Sequence, residues 1–430
     1  MGCLSYFETK LQWTKAVLQD YLFKVDARMR AEDFSRKGKL GFAETCFIIL
    51  RASKRSLQAA IYTFLNESRS ELDHYSKQAF SQRRQFIKPE AFLRLFRGIT
   101  KDYYTDPAMR PKSFRGRNIF AIDGTAYNLP NTPELKERYG VQLSNGEAQV
   151  QAKGSCLYDV LNNLLIDVKM LPIKTSEREI AQEHLNYLHE IKPENNLVLL
   201  DRGYPSSELI QDFEQKGVSY LMRYDKASFF SELRTLTGTD QILELEKTPR
   251  KTKETIPIKL RVIQFPLDSG ASETLITNVL DSDFSVEDFM YLYHLRWGIE
   301  EKYDELKNKL TIEAFSGQTS VAVMQDFYAT MFLSNLTAFA EMDCEETLAL
   351  ANHTLKRKYE CQMNRTMAVA SVKDALIELV MEDNPLKRER LLRRLRKRLL
   401  ANLVPIRSNR SLPRQRKHHA LKFHPNRTIT

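Results

Sequence analysis

Leu197–Gly203 reads LVLLDRG and Asn118–Gly124 reads NIFAIDG. In each, a short apolar run ends on an aspartate, Asp201 or Asp123, with glycine close behind. Runs of this length without polar alternation fit strands buried on both faces of a mainly parallel sheet. An acid at the carboxyl end of such a strand stands where open α/β sheets place their ligands. Other readings stay open at this point. Asp-Gly is a common turn pair, and Asp201 can cap a helix starting near Pro205-Ser206.

A third acid lies downstream in YLYHLRWGIEEKYDELKNKL, Tyr291–Leu310. On a helix, Tyr293, Arg296, Glu300 and Lys307 share one stripe about 60° wide. Leu292, Leu295, Ile299, Tyr303, Leu306 and Leu310 take the neighbouring, core-facing arc. The polar stripe therefore runs along the seam between core and solvent, where a carboxylate can be held rigidly. An Arg296–Glu300 pair four residues apart is also ordinary on a solvated helix. Two strand acids together with Glu300 make a set that can bind two Mg²⁺ ions about 4 Å apart, a clamp for in-line displacement at phosphorus. Magnesium accepts carboxylates, water and phosphate, so no histidine or cysteine ligand is required.

With these residues in view, the chain resembles a known family. Asp123, Asp201 and Glu300 look like the acid triad of DDE transposases, and Tyr293, Arg296, Glu300 and Lys307 match the signature of the bacterial insertion sequence 4 family. DGTAYNLP after the first acid, DRGYPS at the second and the run through Phe315-Ser316-Gly317 are similar as well. So are Phe34–Leu50, Tyr75–Phe92 and Asn409–Lys417, so the likeness spans nearly the whole chain. The resemblance implies a DNA transposase that cuts at element ends and joins 3′-hydroxyls to target DNA, with Mg²⁺ or Mn²⁺ held by the three acids. Its partners would be terminal inverted repeats and target DNA, with a homodimer in the synaptic complex and no membrane. Arg296 and Lys307 would hold phosphates, and Tyr293 would position the terminal nucleotide. A structure-selective nuclease of the same fold and a catalytically dead DNA-binding descendant are the alternatives. Better-known relatives carry a tryptophan in their β insertion for a flipped base. This chain has only Trp13 and Trp297, neither of them there. Phe229, Phe230 or Phe265 could take that place, since any π-face stacks a base. Trp297 is expected to pack beside the site.

The resemblance also sets the fold expectation: a ribonuclease H-like α/β core with a β-rich insertion, between a helical N-terminal domain and a helical, basic C-terminal region. The segments read as 1–110, 111–340 with the insertion at about 224–285, and 341–430. In the first, Ser53 and Ser56 can cap or turn between helices, and a short basic helix carries Arg83 and Arg84, which the resemblance assigns to DNA-end contact. In the core, Ala148–Leu157 and Leu164–Leu171 read as strands. A helix from Ser176 shows a capping-box pattern with Glu179. In the insertion, Arg250, Lys251, Lys253, Lys259 and Arg261 either track a DNA backbone or blunt an edge strand.

At 430 residues and 42% hydrophobic content the chain supports more than one folded domain. Its five cysteines are scattered without zinc spacing, and no long uncharged apolar run appears, so a reduced cytoplasmic setting is expected. From Lys387 onward there are 15 Lys and Arg against one acid, leaving 50 of the 65 basic and 54 of the 55 acidic side chains on the other 386 residues. The whole positive surplus sits in the last tenth of the chain, as a polyanion-binding tail would require. Leu386–Leu400 could alternatively lie on a membrane surface as a basic amphipathic helix.

Overall fold

Residues 5–406 are described by the computed structural model, apart from 37, 52–55, 69–73, 107–108, 145–146, 193, 225–232, 234–235, 237, 249–254, 267–271 and 356. The chain forms two compact units that interleave along the sequence. The first takes Met1–Ile99, Asn128–Val150 and Glu305–Thr430; the second takes Thr100–Tyr127 and Gln151–Asp304. The sequence reading instead divides the chain into consecutive segments.

The first unit opens with α1 (Ser5–Gln19), α2 (Tyr21–Ala27), α3 (Phe42–Leu50), α4 (Leu57–Glu67), α5 (Lys77–Arg84) and the start of α6 (Pro89–Thr105). Ser56 caps α4 by accepting from Ala59 N at 3.3 Å, and Ser76 caps α5 from Ala79 N at 3.2 Å. Ser53 lies outside the described residues. The interleaving has a physical cause further along the chain, where every residue from Ala322 to Ala340 is buried. That run belongs to a helix apolar nearly all round, Ser320–Met342, and such a helix must be covered on every side. N-terminal α1 and α3 supply part of the cover, and the Arg365–Met381 helix supplies part from the C-terminal region. The first and last segments thus share one core.

Arg84 belongs to that core. It is 1% exposed, and its guanidinium donates to Gln325 Oε1 (2.8 Å), Ser316 Oγ (2.6 Å), Ala322 O (3.2 Å) and Asp326 Oδ1 (2.8 Å). Gln325 returns bonds to the carbonyls of Arg84 and Ile87. Ser316, from the Phe-Ser-Gly run, donates its backbone N–H to Asp326. Arg84 is therefore a structural residue and not the DNA contact expected of it, because its guanidinium is bonded inside the protein. Arg84→Ala should destabilise the fold by about 3–5 kcal/mol, as loss of one partner strands a buried charge. A melting temperature within a degree of wild type would show that water replaces the guanidinium there.

The second unit is built on a mixed sheet. Its first strand, β1 (Asn118–Asn128), is buried from Asn118 through Ile122. After α7 (Pro133–Tyr139) and β2 (Val141–Ser144) of the first unit come β3 (Glu147–Asp159) and β4 (Leu164–Pro172), paired antiparallel with a bulge at Leu157/Tyr158. Then follow α8 (Glu177–Ile191), β5 (Asn196–Leu200), α9 (Ser207–Gln215) and β6 (Ser219–Tyr224). Ser176 stands at the N-cap of α8 but makes no side-chain capping bond, so the expected capping box is not formed. The strand order runs β4, β3, β1, β5, β6, with β1, β5 and β6 parallel.

The insertion appears as β7 (Asp240–Lys247), β8 (Ile256–Pro266) and β9 (Ser272–Thr277), all antiparallel, with β9 bonded to β6. Strand β7 alternates exposed and half-buried residues, as an edge strand does. Arg261 turns inward to Asp240, at 2.6 and 2.7 Å, and to the carbonyls of Asp281 and Phe284. Lys259 pairs with exposed Glu244 at 2.7 Å. Arg250, Lys251, Lys253, Phe229 and Phe230 lie outside the described residues, and Phe265 is buried in β8. Among the described residues no helix is long and apolar enough to cross a membrane.

Candidate functional site

Parallel pairing of β1 with β5 aligns Ala121 with Leu199, so the same register carried two residues further aligns Asp123 with Asp201. Equal strand parity sends both side chains to one face, from neighbouring strands about 4.8 Å apart. Asp201 follows the last residue of β5, as expected. Asp123 does not end its strand, because β1 continues to Asn128. The Asp-Gly turn reading fails for the same reason. Gly124 lies inside the strand, where a Cβ would come within 2.8 Å of Glu177 Oε1.

The third acid arrives on a broken helix. Ser285 and Asp288 form a capping box at the start of α10 (Val286–Leu295). At Arg296 the bonds tighten, with Arg296 N donating to Tyr293 O and Ile299 N to Arg296 O, both at 3.1 Å. Helix α11 (Trp297–Asp304) follows, and then a π-helical turn, Glu305–Lys309, in the first unit. The single regular helix expected over Tyr291–Leu310 is therefore divided. Leu292, Ile299, Tyr303, Leu306 and Leu310 of the expected apolar arc are nonetheless buried, and its sixth member, Leu295, is half-buried.

Arg296 is the hub of the site. It is 4% exposed, and its Nη2 donates to Glu300 Oε1 at 3.0 Å while Nη1 stands 3.9 Å from Asp123 Oδ2. Its guanidinium carbon lies 5.5 Å from the Tyr293 ring centroid and 5.4 Å from that of Trp297. Tyr293 Oη donates to Asp201 Oδ1 at 3.2 Å. Trp297 does sit beside the site, and 51% of it is exposed. Burial pushes the Asp123 carboxyl up to about 6, with Glu300 and Asp201 adding to the rise; the Gly124 N–H and Arg296 oppose it. Burial also raises the Tyr293 phenol, keeping it a donor.

These five side chains, all in the second unit, are brought together. Of the remaining candidates, Lys307, Arg83 and Arg84 belong to the first unit, and Lys251 and Lys253 lie outside the described residues. Lys307 lies in the π-helical turn, its ammonium pushed down by burial against the pull of Glu313. Arg83 stacks on Phe34, 4.2 Å from ring centroid to guanidinium carbon. Arg84 is internal, as described above.

The sequence reading missed three residues here. Ser155 Oγ and Tyr303 Oη both donate to the Asp123 carbonyl, at 3.1 and 2.6 Å. Tyr204, 1% exposed, has a hydroxyl with no hydrogen-bond partner among the described residues, and burial, then Asp123, Glu177 and Asp201, raise its phenol. Its place in the DRGYPS stretch was the available signal.

Among the described residues no three acidic, histidine or cysteine side chains stand close enough to cage a metal ion. The donor set still suits a hard cation. It consists of carboxylate oxygens, one of them on a carboxyl whose pKa burial and acidic neighbours push up to about 6, beside a phenol that has no hydrogen-bond partner among the described residues. At present a guanidinium stands between two of the acids.

A family model described as "Transposase DDE domain" matches residues 114–336, slightly over half of the chain. The chain is 25% identical over 358 residues to "Transposase InsG for insertion sequence element IS4" of Escherichia coli (strain K12), covering 80% of this chain and 77% of that protein. It is 27% identical over 145 residues to "Putative transposase InsZ" of the same organism, covering 33% of this chain and 47% of that one. Among solved structures, a piggyBac transposase synaptic complex with hairpin DNA aligns with a TM-score of 0.47 at 11% identity, over 95% of this chain and 86% of that one. The chain belongs to the DDE transposases, in the insertion sequence 4 family.

Proposed function

We propose that this protein is the DNA transposase of an insertion sequence, cutting at element ends and joining the freed 3′-hydroxyls to target DNA. The observation that carries the reading is the gathering of Asp123, Asp201 and Glu300 around Arg296 and Tyr293. The strand order, with two acids on adjacent parallel strands, supports a ribonuclease H-like core. In joining, the 3′-hydroxyl gives its proton to water and a new phosphorus–oxygen bond forms, while the bond to the opposite oxygen breaks and that oxygen leaves, taking a proton from water, as the 3′-hydroxyl of the cut target strand. Mg²⁺ or Mn²⁺ held by the three carboxylates would supply Lewis-acid activation of the attacking oxygen and charge relief at the leaving one. Tyr293 orients Asp201, and Arg296 offers a planar fork able to grip a phosphate at two points once it leaves Glu300. The assay is joining of a pre-cleaved end with a free 3′-hydroxyl, taken from inverted repeats in the DNA flanking the coding sequence. Joining supports a transposase. Cutting without joining points to a nuclease, and shifted mobility alone to a binding protein. Two copies acting on paired ends belong to the same reading.

DNA affinity is assigned to the C-terminal region. Helix Pro385–Ala401 buries Leu392, Leu395 and Leu399 and exposes Lys387, Arg390, Arg393, Arg394, Lys397 and Arg398. Its apolar side packs on the Arg365–Met381 helix, so its basic side is the one available to a polyanion. Truncation before Lys387 would remove core leucines as well as charge. Truncation before Arg407 removes seven Lys and Arg and spares the helix. It should weaken DNA binding and flatten the salt slope by up to about six. An unchanged slope would make that stretch a passive appendage.

A further inference from the structure

The second unit buries a hydrogen-bonded series unconnected to solvent: Asp167 on β4, His184 on α8 and Ser155 on β3. His184 Nδ1 lies 2.9 Å from Asp167 Oδ2, and Nε2 lies 3.0 Å from Ser155 Oγ. All three are at most 1% exposed. Their types are those of a hydrolytic triad, but the burial bars any substrate. The hydroxyl is also already committed, donating to the Asp123 carbonyl at 3.1 Å.

A hydroxyl has one hydrogen. With that hydrogen on Asp123 O, Ser155 can meet His184 only as acceptor, so Nε2 carries a proton. One further proton then joins Nδ1 to Asp167, and on either atom the pair is neutral overall, which suits its burial. Lys169, 3.7 Å from Asp167, is itself paired with Glu183 at 2.8 Å. The second lone pair of the Asp123 carbonyl takes the Tyr303 hydroxyl at 2.6 Å, a phenol that burial keeps protonated. Tyr303 lies three residues beyond Glu300 on α11.

We propose that Ser155, oriented by His184 and Asp167, and Tyr303 are positioning residues that fix the Asp123 backbone relative to the Glu300 helix, setting the separation of two of the three acids. This rests on the reading of Asp123 as a site acid. The residues involved touch no substrate. They act through Asp123, so their loss should weaken metal binding and turnover and leave DNA affinity alone. Changes behind a metal ligand of this kind typically cost about 10–100-fold.

The test uses the full chain with Ser155→Ala and Tyr303→Phe, which remove a hydroxyl and little else. Mn²⁺ affinity is read from the spin-resonance signal of free ion. End cleavage is resolved into kcat and KM, and melting temperature is followed in parallel. The expected result is Mn²⁺ affinity and kcat each lowered about tenfold or more in both variants, with KM for DNA unchanged within about twofold. Wild-type Mn²⁺ affinity and kcat in both would overturn the proposal, and so would a fall in melting temperature alone, which would make the series core packing. Asp123→Ala is the control. If that variant keeps wild-type Mn²⁺ affinity, the assignment of Asp123 has failed rather than the proposal about its supports.

Discussion

Asp123→Ala, Asp201→Ala and Glu300→Ala should each lower end cleavage and joining by about 10³-fold or more, while gel-shift affinity for end DNA stays within a few-fold. The reasoning is electrostatic. A divalent ion contributes several kcal/mol of stabilisation to the charge developing in the transition state, and each 1.36 kcal/mol is tenfold in rate. Loss of a carboxylate loses much of that contribution, whereas the cations of the Pro385–Ala401 helix remain to hold DNA. Full activity in any one variant removes that acid from the site.

Asp123→Asn adds a pH-dependent signature. The folded-state pKa of Asp123 is about 6, above the ordinary carboxylate value of about 3.9 in an unfolded chain. A raised acid contributes stability below its unfolded pKa and loses it as pH rises through the folded value. Wild type should therefore lose up to about 3 kcal/mol from this group between about pH 4 and pH 6. Asn escapes the loss, so the variant should melt higher than wild type at pH 7.5 and lose that advantage at pH 4. Saturating Mg²⁺ should narrow the gap, since the ion stabilises only a native state that can bind it. A constant difference across pH would mean that Asp123 titrates normally.

Arg296→Ala should slow cleavage and joining by about 10²–10³-fold, the usual cost of one positioned donor at a developing charge. Arg296→Lys should recover little of this, because it keeps the charge and loses the fork. Since the guanidinium lies against Glu300 and Asp123, its removal takes a competing cation from between two acids. Mn²⁺ affinity should accordingly tighten in Arg296→Ala even as turnover falls. Weakened Mn²⁺ affinity would instead make Arg296 chiefly a holder of Glu300. Wild-type rates in Arg296→Lys would show that Arg296 supplies only its charge and that the fork plays no part.

The residues that decide the α/β core were legible because their signals are local. Apolar runs marked β1 and β5, alternation marked the antiparallel insertion, and the spacing of Tyr293, Arg296 and Glu300 brought three side chains together across the tightened turn. What escaped depends on distant partners. β1 runs past Asp123, and Gly124 within it lies against Glu177, contributed from α8. Arg84 reads as a surface cation until Gln325, Asp326 and Ser316 close around it from more than 230 residues away. Ser155, Asp167 and His184 carry no spacing signature, because two strands and a helix bring them together. The two interleaved units follow from the burial of Ser320–Met342, a helix whose covering elements come from both ends of the chain.

Iron-directed cleavage of the polypeptide reads out whether Asp123, Asp201 and Glu300 share one metal site. Fe²⁺ takes the place of Mg²⁺ in oxygen-donor sites and, with ascorbate and peroxide, cuts the chain beside the bound ion. Three Mg²⁺-suppressible cuts are expected, near residues 123, 201 and 300, all lost in Asp123→Ala. Cuts elsewhere, or cuts at these positions that persist in Asp123→Ala, would contradict a shared site.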